Sequence, residues 1–114
     1  MRLKHNKDVM SNDGIFVLNL IKDFLTEQKS SLNKYCKEKN ILVSSLTNKL
    51  YRETLTLDDI IEIVSYFNYG VYLENENNNL IEVKKTDSKT MFFKDVIILT
   101  KQLNCEIKIN KKPQ

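Results

Sequence analysis

Between residues 31 and 52 the chain concentrates short hydrogen-bonding side chains and cations. Hydroxyl and amide groups can hydrogen-bond to the edges of bases, and Lys and Arg can pair with phosphates. Residue types in this combination indicate a surface that could contact a nucleic acid. The candidate contact residues are Ser31, Lys34, Val43, Ser44, Ser45, Thr47, Asn48, Lys49, Tyr51 and Arg52.

The charge distribution supports the same segment. The 114-residue chain, long enough for one domain with its own core, has a net charge of only +3. From Lys29 to Arg52 there are six basic residues and one acidic residue, a net charge of +5. From Leu57 to Gln114 there are eight basic and nine acidic residues, a net charge of −1. A basic patch on one element is typical of a phosphate-backbone binder, although AT-rich coding and a solvated face would also produce it.

Residues for catalysis or metal binding are sparse. Cys36 and Cys105 are far apart without a CxxC motif, His5 is the only histidine, and there are two glycines. The Asp58-Asp59 pair fits a helix N-terminus, where negative charge is favourable. We therefore expect no enzyme activity, no metal and no cofactor. Because the thiols should be reduced and no signal peptide or membrane span is evident, we expect a cytoplasmic protein.

Apolar residues at helical spacing predict a first helix over residues 15–28. A second helix should follow a cap at Ser30 or Ser31, because serine side chains accept hydrogen bonds from the first turn. It should close at Asn40, since asparagine tolerates the left-handed conformation that ends many helices.

Two further helices should follow within the same half of the chain. The third is expected to begin near Val43 and to direct Leu46 and Leu50 inward. Thr56 and Asp59 then have the spacing of a capping box, which predicts the start of a fourth helix. Four short helices with short links predict a compact α-domain.

At Gly70 the periodicity changes from helical to alternating. Segments 71–74 and 80–84 alternate around an Asn-rich tip, which predicts a β-hairpin. A fifth helix is expected from residue 88 or 90 to Leu103, followed by a last strand over 105–110. The apolar side chains that this helix is expected to bury are Phe92, Val96, Leu99 and Leu103.

The C-terminal half also contains an internal echo. Segments 57–76 and 93–112 align without gaps at a constant offset of 36 residues, as between Asp59 and Asp95. We interpret the echo as coincidence between two units with the same physical needs. Whether the similarity is a coincidence or a true repeat, each segment predicts a helix that leads into an amphipathic strand.

The stretch "SLNKYCKEKNILVSSLTNKL", residues 31–50, resembles the helix-turn-helix of phage-repressor/Cro-like (Xre-type) DNA-binding domains. The family's run begins with Ser, has a Leu-Ala pair in its first helix and a glycine in its turn. The matching positions here are Ser31 at the start, Tyr35 and Cys36 at the Leu-Ala pair, Asn40 at the turn glycine, Ile41 at the buried turn residue, and Leu46 and Leu50 at the apolar positions of the second helix.

The resemblance covers residues 15–68 and implies a lambda-repressor-like bundle whose second motif helix lies in the major groove. The resemblance also implies that position 36, where the two helices cross, needs a small side chain, and cysteine meets this need. The sequence departs from the family at Asn40, which replaces glycine, and at Leu42, which replaces a Ser or Thr cap. The second departure predicts that the recognition helix starts late, at Ser44.

The expected fold is mainly α, with a helix-turn-helix bundle followed by a hairpin, a fifth helix and a last strand as an α+β extension. We divide the chain into a flexible leader (1–13), a DNA-binding domain (14–69), an extension for dimerisation (70–110) and a tail (111–114).

The hairpin has two possible roles. It could be a wing that contacts DNA through Asn77, Asn78, Asn79 and Lys84, or it could contribute to a dimer interface. Glu74, Glu76 and Glu82 argue against close contact with DNA along its length. We therefore expect dimerisation by this region and keep the wing as the alternative.

These expectations favour a homodimeric transcriptional regulator that occupies a palindromic site on double-stranded DNA. One alternative is an accessory protein that binds a plasmid or phage origin, partition site or transfer site. Another is a protein-interaction module such as an antitoxin. Repeated sites near an origin would favour the first alternative, and absence of DNA affinity at low salt would favour the second.

Overall fold

The computed structural model describes residues 10–85 and 91–113. Within these residues the chain forms five α-helices and a three-stranded antiparallel sheet, so the fold is α+β. The elements are α1 (Asn12–Glu27), α2 (Leu32–Lys39), α3 (Val43–Tyr51), α4 (Leu57–Tyr66), β1 (Tyr69–Glu74), β2 (Leu80–Val83), α5 (Phe93–Gln102) and β3 (Glu106–Lys111). Their order is the one predicted. Most of the leader lies outside the described residues, as does the predicted start of α5.

The chain divides into two compact units, Met1–Leu55 and Thr56–Gln114. The first unit holds α1, α2 and α3. Helix α4 belongs to the second unit, because it packs against β1 and also contacts α5. The sequence predicts that α4 belongs with the first three helices and that the boundary lies after residue 69, whereas the compact units divide after Leu55.

The first unit is built around α3, which packs against both α1 and α2. Ser11 caps α1 by accepting a hydrogen bond from the Gly14 N–H at 3.0 Å. The most deeply buried helical side chains of the first unit come from all three helices: Leu18, Ile21, Leu25, Tyr35, Cys36 and Leu50. These apolar contacts fix the position of α3.

All five helices are followed by a residue other than glycine in the left-handed conformation. These residues are Lys29, Asn40, Glu53, Asn68 and Asn104, with φ between 57° and 65°. Asparagine adopts this conformation more readily than most residues, so the three asparagines suit their positions. The prediction that α2 closes at Asn40 is confirmed.

In the second unit the strands are ordered β2-β1-β3. Helix α4 packs against β1 and α5 against β3, while the two helices also contact each other. Both helices therefore cover the same face of the sheet, where Val71 is fully buried. The capping box is confirmed, since the Thr56 Oγ1 accepts from the Asp59 N–H and the Asp59 carboxylate accepts from the Thr56 N–H.

The internal echo corresponds to a structural repeat. Helices α4 and α5 begin and end at positions separated by the same 36-residue offset, and each leads into a strand. Tyr72 pairs with Lys108 across β1 and β3, and Thr56 forms an isolated antiparallel bridge with Phe92. Because each pair joins equivalent positions of the two repeats, a local two-fold axis passes between them.

The expected burial of α5 is wrong for three of its four apolar side chains. Val96 is buried, but Phe92, Leu99 and Leu103 are 42%, 43% and 64% exposed. The helix begins at Phe93, so Phe92 is its N-cap. Phe93 and Ile97 occupy the buried face instead, which turns Leu99 away from the sheet.

Candidate nucleic-acid interface

A three-residue turn joins α2 to α3. Asn40 has φ 59° and ψ 46°, and its N–H donates to the Lys37 carbonyl at 3.2 Å. The Ile41 N–H donates to the Cys36 carbonyl at 2.8 Å. These two bonds form a Schellman motif, which satisfies carbonyls at the end of α2 and allows α3 to begin directly afterwards.

Helix α3 is anchored through its inner face. Leu46 and Leu50 are 8% and 2% exposed, as predicted, and α3 packs against α1 and α2. Cys36 of α2 is fully buried, which fits the need for a small side chain in the resemblance. Burial raises the pKa of the Cys36 thiol, so this residue remains a neutral packing group at physiological pH.

A hydrogen-bonded contact joins Ser11, the N-cap of α1, to Glu53, the second residue after α3. The Ser11 N–H donates to the Glu53 Oε2 at 3.0 Å, and the Ser11 hydroxyl donates to Oε1. A Cβ at Gly14 would lie 2.4 Å from the Glu53 Cδ, so glycine is needed for this approach. Sequence periodicity does not predict this contact, because Ser11 and Glu53 are 42 residues apart in the chain.

The outer face of α3 is polar. Ser44, Ser45 and Lys49 are exposed, whereas Thr47 and Asn48 are half-buried. The helix contains no acidic residue, so hydroxyl, amide and ammonium groups occupy this face without a carboxylate. Chemically, the arrangement can donate hydrogen bonds to base edges and neutralise a nearby phosphate.

The structure brings the ten predicted contact residues onto α2, α3 and their caps. Ser31 caps α2 and Lys34 lies in its first turn. Val43 begins α3, Tyr51 ends it, and the exposed Arg52 is its C-cap. The candidate residues therefore lie on two consecutive helices and their caps rather than on scattered elements.

Two expectations about the turn are corrected. Helix α3 begins at Val43, which confirms the start that the apolar spacing predicts, so the late start at Ser44 predicted from Leu42 is wrong. Ile41, expected to be buried, is 41% exposed, and Leu42 is 72% exposed. Both side chains therefore lie outside the core that Cys36, Leu46 and Leu50 help to form.

Lys22 of α1 is a further cation of this surface and is not among the residues predicted from the sequence. Its Nζ lies 6.0 Å from the centroid of the Tyr51 ring. This distance is at the limit of a cation–π interaction, and it brings a positive charge to the end of α3. No local pattern could reveal the pairing, because it depends on how α1 packs against α3.

A shallow pocket lies at the amino end of α2. Its lining residues are Lys22, Leu25, Thr26, Ser30, Ser31, Leu32 and Asn33. The Ser31 Oγ accepts a hydrogen bond from the Lys34 N–H at 3.1 Å and can still donate its own proton. Hydroxyl donors, an ammonium group and a helix N-terminus together suit a phosphate oxygen.

The predicted wing residues lie in the second unit, at or near the hairpin. The Asn75 Oδ1 accepts from the Asn77 and Asn79 N–H groups at 2.9 and 3.0 Å, and Asn78 is left-handed. Asn77, Asn78, Asn79 and Lys84 are exposed. The tip is thus an ordered turn with outward amides, and its contact with DNA stays a prediction.

Comparison of the chain with protein-family models, curated proteins and solved structures finds no match. Within residues 10–85 and 91–113, no helix combines the length and the apolar character that crossing a membrane requires. The same ranges contain no group of three His, Cys, Asp or Glu side chains placed to hold a metal ion. We therefore infer function from the geometry and chemistry of α2, α3 and the turn between them.

Proposed function

We propose that the protein binds double-stranded DNA in a sequence-specific manner, with α3 in the major groove. The observation that carries the proposal is the outer face of α3, which presents hydroxyl, amide and cationic groups without a carboxylate. The short turn at Asn40 lets this helix follow α2 directly, as in the repressor-like motif.

Within the proposal, base reading centres on Ser44, Thr47 and Asn48. Each well-placed side-chain contact with a base edge contributes about 1–3 kcal/mol of discrimination. Asn48 is the most informative of the three because its amide can donate to and accept from an adenine at the same time.

Phosphate contacts in the proposal come from cations on both motif helices. Lys34, Lys49 and Arg52 are exposed, and the pocket at the amino end of α2 adds Lys22 and the Ser31 hydroxyl. Such contacts fix the orientation of the motif on the duplex but do not by themselves read sequence.

The resemblance to repressor-like domains extends the proposal to transcriptional regulation by a homodimer. A two-fold dimer would place its two recognition helices about 34 Å apart, one turn of DNA, and would therefore select a palindromic site.

Selection from a random double-stranded DNA library tests the proposal. We expect enrichment of one site, and we expect Asn48→Ala to weaken binding to that site about 10- to 100-fold while leaving binding to random DNA unchanged. Asn19→Ala, an exposed change on α1, is the matched control. Absence of enrichment, or equal losses on selected and random DNA, would contradict base reading by α3.

A further inference from the structure

The two repeats of the second unit differ at their outer strand edges. Strand β1 pairs with β3 on one side and with β2 on the other. Strand β3 pairs only with β1 and forms an edge of the described sheet. The local two-fold axis makes these outer edges equivalent. Among residues 10–85 and 91–113, the second repeat therefore has an open edge at the position that β2 covers in the first.

Equivalent residues on the two helices show a related difference. Ile63 of α4 is 3% exposed, whereas Leu99, its equivalent in α5, is 43% exposed. Phe67 is half-buried, and its equivalent Leu103 is 64% exposed. The second repeat therefore leaves apolar surface uncovered beside an open strand edge, and apolar surface of this kind favours association.

The sequence of β3 is complementary to itself in the antiparallel direction. If Ile107 lies opposite Ile107 of a second copy, Glu106 lies opposite the second copy's Lys108 on the face away from the helices. The two-fold axis generates two such Glu106–Lys108 pairs, one for the Glu106 of each copy. Opposite charges directly across a strand pair are stabilising.

Neighbouring registers are less favourable. A shift by one residue would put the apolar face of one copy against the polar face of the other, because side chains alternate along a strand. Shifts that keep the faces aligned centre on Glu106 or Lys108, where identical charges would meet. Only the register centred on Ile107 combines aligned apolar faces with opposite charges among these neighbours.

We propose that β3 pairs antiparallel with β3 of a second copy of this chain, centred on Ile107, to form a continuous six-stranded sheet. The pairing is isologous and closes at two chains. It deepens the proposed function by supplying the dimer, but its test uses no DNA, so either proposal can fail without the other.

Mixing two charge variants of the full-length protein tests the pairing. Glu106→Lys alone places Lys opposite Lys, and Lys108→Glu alone places Glu opposite Glu. We expect each variant to dimerise at least about tenfold more weakly than the unmodified protein by sedimentation, and we expect an equimolar mixture to restore the dimer, because both cross-chain pairs are again of opposite charge. Glu76→Lys, an exposed change at the hairpin tip, is the control.

Lys108 also pairs within the chain, with Glu74 at 3.8 Å and Glu106 at 3.4 Å, so circular dichroism should check that each variant folds. A second measurement avoids these charges. With Cys105 replaced by Ser, Ile107→Cys should form a disulfide-linked dimer on oxidation, whereas Ile109→Cys should not, since only residue 107 opposes itself.

A monomer at tens of micromolar would overturn the proposal. A dimer that is insensitive to Glu106→Lys and that does not crosslink through residue 107 would also overturn it. That second result would assign the contact to another surface, such as the apolar side of α5 or the edge of β2.

Discussion

The first unit exposes hydroxyl, amide and cationic side chains along α3, whereas the second exposes apolar side chains along α5. Both helices have a well-buried inner face, so the difference lies in what faces outward. A polar, carboxylate-free outer face suits a polyanion, and apolar side chains next to an open strand edge suit a protein surface. The proposed DNA contact and the proposed self-association therefore use different units of the protein.

Truncation of one leucine in each unit should give the largest contrast. Leu50→Ala removes a side chain that is 2% exposed from the core under α3, and we expect the free energy of unfolding to fall by about 2–5 kcal/mol. Leu103→Ala removes one that is 64% exposed and should change it by at most about 0.5 kcal/mol. Urea unfolding of both variants measures the difference, and equal losses would show that the two leucines have similar surroundings.

The contact between Ser11 and Glu53 gives a smaller, testable coupling within the first unit. Gly14→Ala should change the free energy of unfolding by less than about 1 kcal/mol, because the new Cβ displaces the flexible Glu53 side chain from Ser11 while alanine favours the helix. In a Glu53→Ala background the same change should be stabilising by up to about 1 kcal/mol, since alanine is the better helix former.

Urea unfolding of the wild type, the two single variants and the double variant measures the free energies of this double-mutant cycle. Additive effects would mean that Glu53 does not occupy the space beside Gly14.

The dependence of DNA affinity on salt concentration tests whether the cations of the first unit, and not those of α5, contact phosphates. Lys49→Gln should weaken binding to all DNA sequences and lower the slope of log affinity against log salt by about one unit, because one phosphate contact is lost. Lys101→Gln, an exposed change on α5, should leave that slope unchanged. Fluorescence anisotropy titrations over a range of salt concentrations measure both, and identical slopes for the two variants would exclude Lys49 as a phosphate contact.

The two cysteine thiols, one in each unit, should differ in their rate of reaction with a thiol reagent. Cys36 is buried and burial raises its pKa, whereas Cys105 is half-buried. A thiol reagent at pH 8 should therefore label Cys105 well before Cys36, whose labelling should require unfolding of the first unit. Because the pKa of Cys36 is raised in the folded state, its contribution to stability is complete below the ordinary thiol pKa and is lost as pH rises through the raised value.

Mass analysis of the labelled peptides over time follows both residues. Equal labelling rates for the two thiols would contradict the buried position of Cys36.

Local sequence determined most of the secondary structure of this protein. The sequence predicts the cap of α2 at Ser30 or Ser31, the cap of α4 at Thr56, the left-handed end of α2 at Asn40 and the strand β1. The structure confirms them, since each depends on hydrogen bonds or side-chain spacing within a few residues. The inward positions of Leu46 and Leu50 followed from helical periodicity alone.

Tertiary packing decided which elements contact each other and which of their side chains are buried. It placed α4 with the sheet, Lys22 against Tyr51 and Ser11 against Glu53, and it left Leu99 exposed although its spacing matched a buried stripe. The reason is physical: periodicity defines an apolar face, but which part of that face is covered depends on neighbours that are distant in the chain.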